Sequence, residues 1–231
     1  MLKKKYNLDN QMFGLEGNIN WQNFRQKNID WWNSVGKYDL KEKPTTKLIN
    51  YTYFLQWLEK KFKVSTGSLN GKNVGEICCG PYGGILQACN IDAKKKYFID
   101  IFMEDFLNMK LIEWPPNSTF IQAPSEHIHL NNDELDFLFG YNSIDHGWDW
   151  KASIDECLRV SKKIYLMFDT KNSTDGDYHP QKINHEDVIR HVGELNDTYN
   201  FTNYGIKAQL KNYGYYDTCF EWPETWIYIE K

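Results

Sequence analysis

Three places along this 231-residue chain bring together residue types that could do chemistry. The first is the run Val74-Gly75-Glu76-Ile77-Cys78-Cys79-Gly80-Pro81-Tyr82-Gly83-Gly84, an apolar stretch that ends in a glycine-rich turn. Glycines in such a turn let the backbone approach a ligand closely and let the next helix start tightly. The second is Asp100, which closes the following apolar run, Lys96–Ile101, and lies 20 residues beyond Gly80. A carboxylate there can accept hydrogen bonds from both hydroxyls of a ribose, and a Gly turn followed by an acid at this spacing is what a nucleoside-binding unit needs. The third is a pair of histidine sites, His146 beside Asp145 and His179 before Pro180. An imidazole titrates near neutral pH and suits the removal of a proton from a hydroxyl. Asp145 could orient His146, although capping of the next helix is the preferred reading. His127 with His129, or His179 with His185, could begin a metal site. Neither pair has a third ligand at a recognisable spacing, so no metal is expected. His191 falls on a predicted helix and reads as packing or surface. Trp31, Trp32, Trp148 and Trp150 could wall an apolar pocket.

These residues need a scaffold, and the hydrophobic pattern supplies one. Strands are predicted at Asn73–Cys78, Lys96–Ile101, Ser118–Gln122, Leu135–Gly140 and Ile164–Asp169. Helices are predicted from Gly84, over Ala152–Val160, and after Asn184 with Val188, Ile189, Val192 and Leu195 on one face and Asp187 at the capping-box position. Strands alternating with helices make a mainly parallel sheet covered on both faces. Two late strands, near Tyr204–Leu210 and Thr225–Glu230, have no helix between them and predict an antiparallel hairpin at one edge. In such sheets ligands bind outside the carboxyl ends of the strands, where strand order reverses. Upstream, residues 1–45 carry Trp21, Trp31 and Trp32 and read as a helical cap. Lys47–Phe62 has the spacing of an amphipathic helix, and Ser65–Lys72 reads as a loop. The organisation expected is a cap or lid segment at 1–62 and one α/β domain at 63–231.

Composition sets the outer limits. Hydrophobic residues at 41% and charged residues at 25% allow a real core and solubility. A net charge of −4 gives no electrostatic reason for a nucleic-acid partner. The basic runs Lys3-Lys4-Lys5 and Lys94-Lys95-Lys96 read as solvated surface. No apolar run reaches the length of a membrane span and none follows the first lysines, so neither membrane nor secretion is expected. Five cysteines, odd in number and mostly within apolar segments, read as thiols in a reducing compartment, and a cytoplasmic location is expected.

The run from Val74 to Asp169 resembles the class I methyltransferases, above all the group related to ubiquinone-biosynthesis and sugar methyltransferases. NVGEICCGPYGG is similar to their first motif, usually VLEIGCGPGG. FID, ending at Asp100, resembles the acidic end of their second strand, and Gln122-Ala123-Pro124-Ser125-Glu126 the segment beside the adenine. LDFLFGYNSIDHGWD resembles FDLVISINVLDHVED, and Glu156-Cys157-Leu158-Arg159-Val160 the EIRRV before the fifth strand. Cys78 stands where the family usually has its first glycine, Tyr82 adds bulk to the turn, and Ser161-Lys162-Lys163 replaces a longer LKPGG turn. The resemblance implies a Rossmann-like class I methyltransferase fold with a seven-stranded, mainly parallel sheet. It also implies S-adenosyl-L-methionine as cofactor. Glu76 and Gly80 would frame the methionine end, within a turn that includes Cys78, Pro81 and Tyr82. Asp100, followed by Ile101, would hold the ribose. Ser125 and Glu126 would lie by the adenine, and Asn142 below the sulfonium. His146 would face the cofactor methyl as base or substrate contact, with His179 as a second candidate. NAD is the rival ligand, but it wants a G-x-G-x-x-G turn, and this one reads C-C-G-P-Y-G-G. The expected activity is O-methylation of a small polar metabolite or sugar hydroxyl. N-methylation of a small amine, or a non-catalytic cofactor-binding or scaffolding subunit, are the alternatives. A small-molecule acceptor is the expected partner, and a homodimer is left open.

Overall fold

A computed structural model describes residues 19–42, 59–60, 63–88, 91–170, 181–195, 199–205 and 223–231. Its centre is a seven-stranded sheet of order β3-β2-β1-β4-β5-β7-β6. The strands are β1 Asn73–Ile77, β2 Lys95–Asp100, β3 Ser118–Gln122, β4 Phe137–Tyr141, β5 Lys163–Asp169, β6 Tyr199–Gly205 and β7 Pro223–Glu230. The first five run parallel, and β7 lies antiparallel to both β5 and β6. The antiparallel edge expected from the late strands is therefore present. Its first strand begins five residues earlier than the apolar pattern placed it, at Tyr199 rather than Tyr204.

Parallel strands buried on both faces read as short continuous apolar runs, and side chains along each strand alternate between two cores. On β5, Tyr165 and Met167 join Phe98, Phe139, Ile85 and Met103 on one face, while Ile164, Leu166 and Phe168 join Leu138, Ile154, Val188 and Val192 on the other. Helix α1 (Ile19–Glu42) precedes the sheet, and α2 (Gly84–Ala88) and α3 (Met103–Met109) follow β1 and β2. Helices α4 (Trp150–Val160) and α5 (His185–Leu195) cover the second face. Helix α4 starts because the Asp149 carboxylate accepts from the N–H groups of Lys151 and Ala152, and it buries Ile154, Cys157 and Val160. Helix α5 starts where Asn184 Oδ1 accepts from the Glu186 N–H, as the sequence led us to expect. Asp187 does not complete a capping box there; it pairs with Arg190.

Several segments depart from the sequence reading. Thr66–Leu69, expected as loop, is one turn of 3-10 helix capped by Ser65. Helix α3 was not anticipated. The predicted helix at 47–62 lies almost wholly outside the described residues. No helix among the described residues is long and apolar enough to cross a membrane.

The chain runs outward from β1 to β2 and β3, then returns to β4 on the opposite side of β1. Strand order thus reverses between β1 and β4, and the carboxyl ends of β1, β2 and β4 open onto one crevice.

Candidate functional site

The turn after β1 is built from left-handed backbone. Cys78 has φ 50°, Gly80 φ 62° and Gly84 φ 49°. A non-glycine residue in this region costs roughly 1–2 kcal/mol, so Cys78 is held there by what surrounds it. Its thiol is pushed well above the usual range by burial and then by the charge of Asp100, which makes it a packing group rather than a nucleophile. Gly84 is required for contact: a Cβ would collide with the Glu76 carboxylate. That carboxylate, 1% exposed, accepts from Ile85 N at 2.9 Å and Leu86 N at 2.8 Å. It therefore caps α2 from beneath the turn. Burial pushes its pKa up to about 8, against the pull of the two N–H groups. Any part Glu76 plays in framing a ligand runs through the backbone it holds.

Asp100 ties the turn to the end of β2. Its Oδ2 accepts from Gly80 N at 3.1 Å and its Oδ1 from Phe102 N at 2.9 Å. The side chain is 7% exposed, and burial pushes its pKa up to about 6. Pro81 and Tyr82, next along the turn, are buried, and Ile101 packs with Phe102 and Phe106. Helix α1 contributes the upper wall. The Trp32 ring lies 3.5 Å from where a Gly80 Cβ would be, with its centroid 6.0 Å from the rings of both Tyr82 and Phe106. Phe24 meets Phe102 at 6.0 Å and Trp148 at 6.3 Å. Arg25 grips the Asp105 carboxylate of α3 with two hydrogen bonds of 2.8 and 2.5 Å.

The loops after β3 and β4 form the other wall. Ser125 is buried, with its Oγ 2.9 Å from Ser153 Oγ. Glu126 Oε1 accepts from Trp148 N at 2.6 Å and Asp149 N at 3.1 Å, so this carboxylate bridges the two loops. Asn142 takes a left-handed conformation, φ 50°, and its Nδ2 lies 3.2 Å from His146 Nε2. In the neutral ring this contact favours Nε2 as the acceptor from the amide nitrogen, with the ring proton on Nδ1. The Asp145 carboxylate is 3.9 Å from the same Nε2. Asp149, not Asp145, caps α4, which corrects the helix-capping reading of Asp145.

The structure thus gathers Gly80, Pro81, Tyr82, Asp100, Ile101, Ser125, Glu126, Asn142 and His146 at the carboxyl end of the sheet, with Cys78 in the turn and Glu76 under it. His179 lies outside the described residues. Among the described residues no group of three or more His, Cys, Asp or Glu could hold a metal. His185 bonds Thr225 at 2.8 Å and His191 bonds Asp155 at 2.8 Å, so both serve packing between elements. Sequence reasoning missed Phe102, Phe106, Arg25, Asp105 and Gln181. Their contacts join positions far apart in the chain, and only the pairing of elements could have exposed them.

No protein-family model matches the chain, and no curated protein matches it in sequence. Solved structures do match in fold. The YcgJ protein of Bacillus subtilis aligns with a TM-score of 0.54 at 14% identity, over 78% of this chain and 98% of its own. Magnesium protoporphyrin IX methyltransferase from Synechocystis, solved with bound S-adenosylmethionine, aligns with a TM-score of 0.56 at 12% identity, over 90% of this chain and 97% of its own. An arsenic(III) S-adenosylmethionine methyltransferase from Chlamydomonas reinhardtii aligns with a TM-score of 0.51 at 14% identity, over 73% of this chain and 66% of its own. The chain has the fold of the class I methyltransferases.

Proposed function

We propose that the protein is an S-adenosylmethionine-dependent methyltransferase acting on a hydroxyl of a small polar metabolite or sugar. The observation that carries the reading is the junction of Gly80 with Asp100, 3.1 Å apart, at the reversal of strand order. A buried carboxylate poised beside a left-handed, glycine-bearing turn suits a ribose diol, because each oxygen keeps acceptor capacity beyond its backbone partner. The donor set fits S-adenosylmethionine in this way, and the fold shared with enzymes that bind it supports the same choice. When bound, that cofactor supplies a methyl group on a positively charged sulfur, already activated for in-line displacement.

The chain's own residues then have three tasks. Asp100 and the turn hold the nucleoside. Trp32, Phe24 and Phe102 exclude water from the crevice, which strengthens every polar contact inside it. His146, with its lone pair on Nε2, takes the proton of the acceptor hydroxyl as that hydroxyl replaces the Asn142 amide beside it. We assign residues 1–62 to a lid over the acceptor and 63–231 to the catalytic domain. Titration calorimetry with S-adenosylhomocysteine tests the central claim. Binding near micromolar Kd, roughly −8 kcal/mol, is expected, and absence of heat on folded protein would falsify it.

A further inference from the structure

Between β4 and α4 the chain presents five consecutive backbone N–H groups, Trp148 to Ala152, that no helix can satisfy, because they precede α4 or open it. Each finds a side-chain acceptor. Trp148 N and Asp149 N donate to Glu126, and Lys151 N and Ala152 N donate to Asp149. Trp150 N donates to Gln181 Oε1 at 2.7 Å. The other end of Gln181 works too, since its Nε2 donates to Ile144 O at 3.0 Å. One side chain therefore grips both ends of Ile144–Trp150, and His146 lies between them.

At the start of α4 Gln181 takes Trp150 N, while Asp149 caps Lys151 and Ala152. The other end of the grip falls on the single 3-10 turn Ile144–His146. A lone turn has little stability of its own. On this turn His146 Nε2 lies 3.2 Å from the Asn142 amide and 3.9 Å from the Asp145 carboxylate. A small rotation of the turn would carry Asp145 along with the ring and break only the contact with Asn142, which lies outside the turn. Gln181 comes from outside this loop, at the head of the segment leading into α5, and it fixes the span that sets the rotation.

We infer that Gln181 is a positioning residue for His146: it locks the Ile144–Gly147 turn so that Nε2 meets Asn142, and it touches no reacting atom. The inference rests on the reading of His146 as the base. Its test reads the ring directly, so the two can fail separately. In full-length protein carrying 15N-histidine, long-range proton–nitrogen spectra above the histidine titration range should show wild-type His146 as one tautomer, protonated on Nδ1. Gln181→Met should lose that preference, with the two ring nitrogens converging in shift, as should Asn142→Leu. Gln181→Glu keeps an acceptor for Trp150 N but loses the donor to Ile144 O, and should fall between. S-adenosylhomocysteine affinity should stay within about twofold, while turnover of any accepted substrate drops about 10–100-fold. An unchanged His146 tautomer in folded Gln181→Met and Gln181→Glu overturns the inference. Loss of tautomer preference together with unimpaired turnover in His146→Ala would instead leave the positioning intact and remove the base.

Discussion

At the scale of single residues, the site is a set of polar groups whose partners are already half chosen. Asp100 spends one hydrogen bond per oxygen on Gly80 and Phe102, which fixes its orientation before any ligand arrives. Asp100→Ala should weaken S-adenosylhomocysteine binding by about 1.5–3 kcal/mol, the worth of charge-assisted hydrogen bonds to a diol. Calorimetry checks this, and a circular dichroism spectrum must show the fold retained; normal binding would mean that Asp100 serves only the turn. His146 is tested differently. If it accepts the hydroxyl proton, His146→Ala lowers kcat by about 10²–10⁴ at saturating acceptor, with cofactor affinity within a few-fold. His179→Ala is the comparison, and a large loss there with none at His146 reverses the assignment. Asp100 and His146 could be found in the sequence because each follows an apolar run at a fixed offset. Glu76 was found but its direction was not. A carboxylate two residues before a Gly-rich turn can point to a ligand or to the helix below, and only its contact with Gly84 and the N–H groups of Ile85 and Leu86 decides.

Among the elements, legibility followed burial. Strands β1 to β5 were readable because a parallel strand covered on both faces is a short, unbroken apolar run. Helix α3 was not, since it has only seven residues and starts at Phe102 without a side-chain cap. The hairpin edge was readable as a pair of strands but not in its first boundary, because β6 includes Asn200, Thr202 and Asn203. Helix α1 was expected as a cap. It meets the rest of the described structure through Phe24, Ile29 and Trp32, with Arg25 tied to Asp105. An exposed ion pair contributes about 0–1 kcal/mol, so the aromatic contacts carry the attachment. Trp32→Ala should therefore loosen α1 while the sheet stays folded. Limited trypsin digestion would cut at Arg25 or Lys27 several-fold faster than in wild type, and S-adenosylhomocysteine should slow the cut in wild type. Collapse of the whole fold in Trp32→Ala would make α1 part of the core, and an unchanged rate would detach Trp32 from any roofing role.

For the molecule as a whole, the site is a source of instability that depends on pH. Folding buries Glu76 and Asp100, raising them from 4.5 and 3.8 to about 8 and about 6. An acid whose folded pKa lies above its unfolded one contributes fully below the unfolded value. That contribution is lost as pH rises through the folded value, because the unfolded chain ionises first. For Asp100 the loss is about 3 kcal/mol between roughly pH 4 and pH 6, taking 1.36 kcal/mol per unit. Asp136, Glu156 and Glu230 work the other way. Against the opposing effect of burial, cationic partners and N–H or O–H donors hold them below the usual carboxylate range, so their contribution fades only as pH falls below about 4. The two windows meet near pH 4, where the ligand-free protein should melt highest, and its melting temperature should fall toward pH 8. In Asp100→Asn the decline between about pH 4 and pH 6 should become shallower by the Asp100 share, since the amide does not titrate, while the Glu76 share persists up to about pH 8. The ligand reverses the sign. Hydroxyls donating to Asp100 favour its ionised form, so binding below about pH 6 must release a proton, and apparent affinity should fall by up to about tenfold per unit there. Above pH 6 it should be flat with respect to this group, and a hundredfold excess of S-adenosylhomocysteine over Kd should restore about 2.7 kcal/mol. Thermal melts with and without ligand across this range measure both slopes. A ligand-induced shift that does not shrink below pH 6 would mean that Asp100 does not hold the diol as an anion.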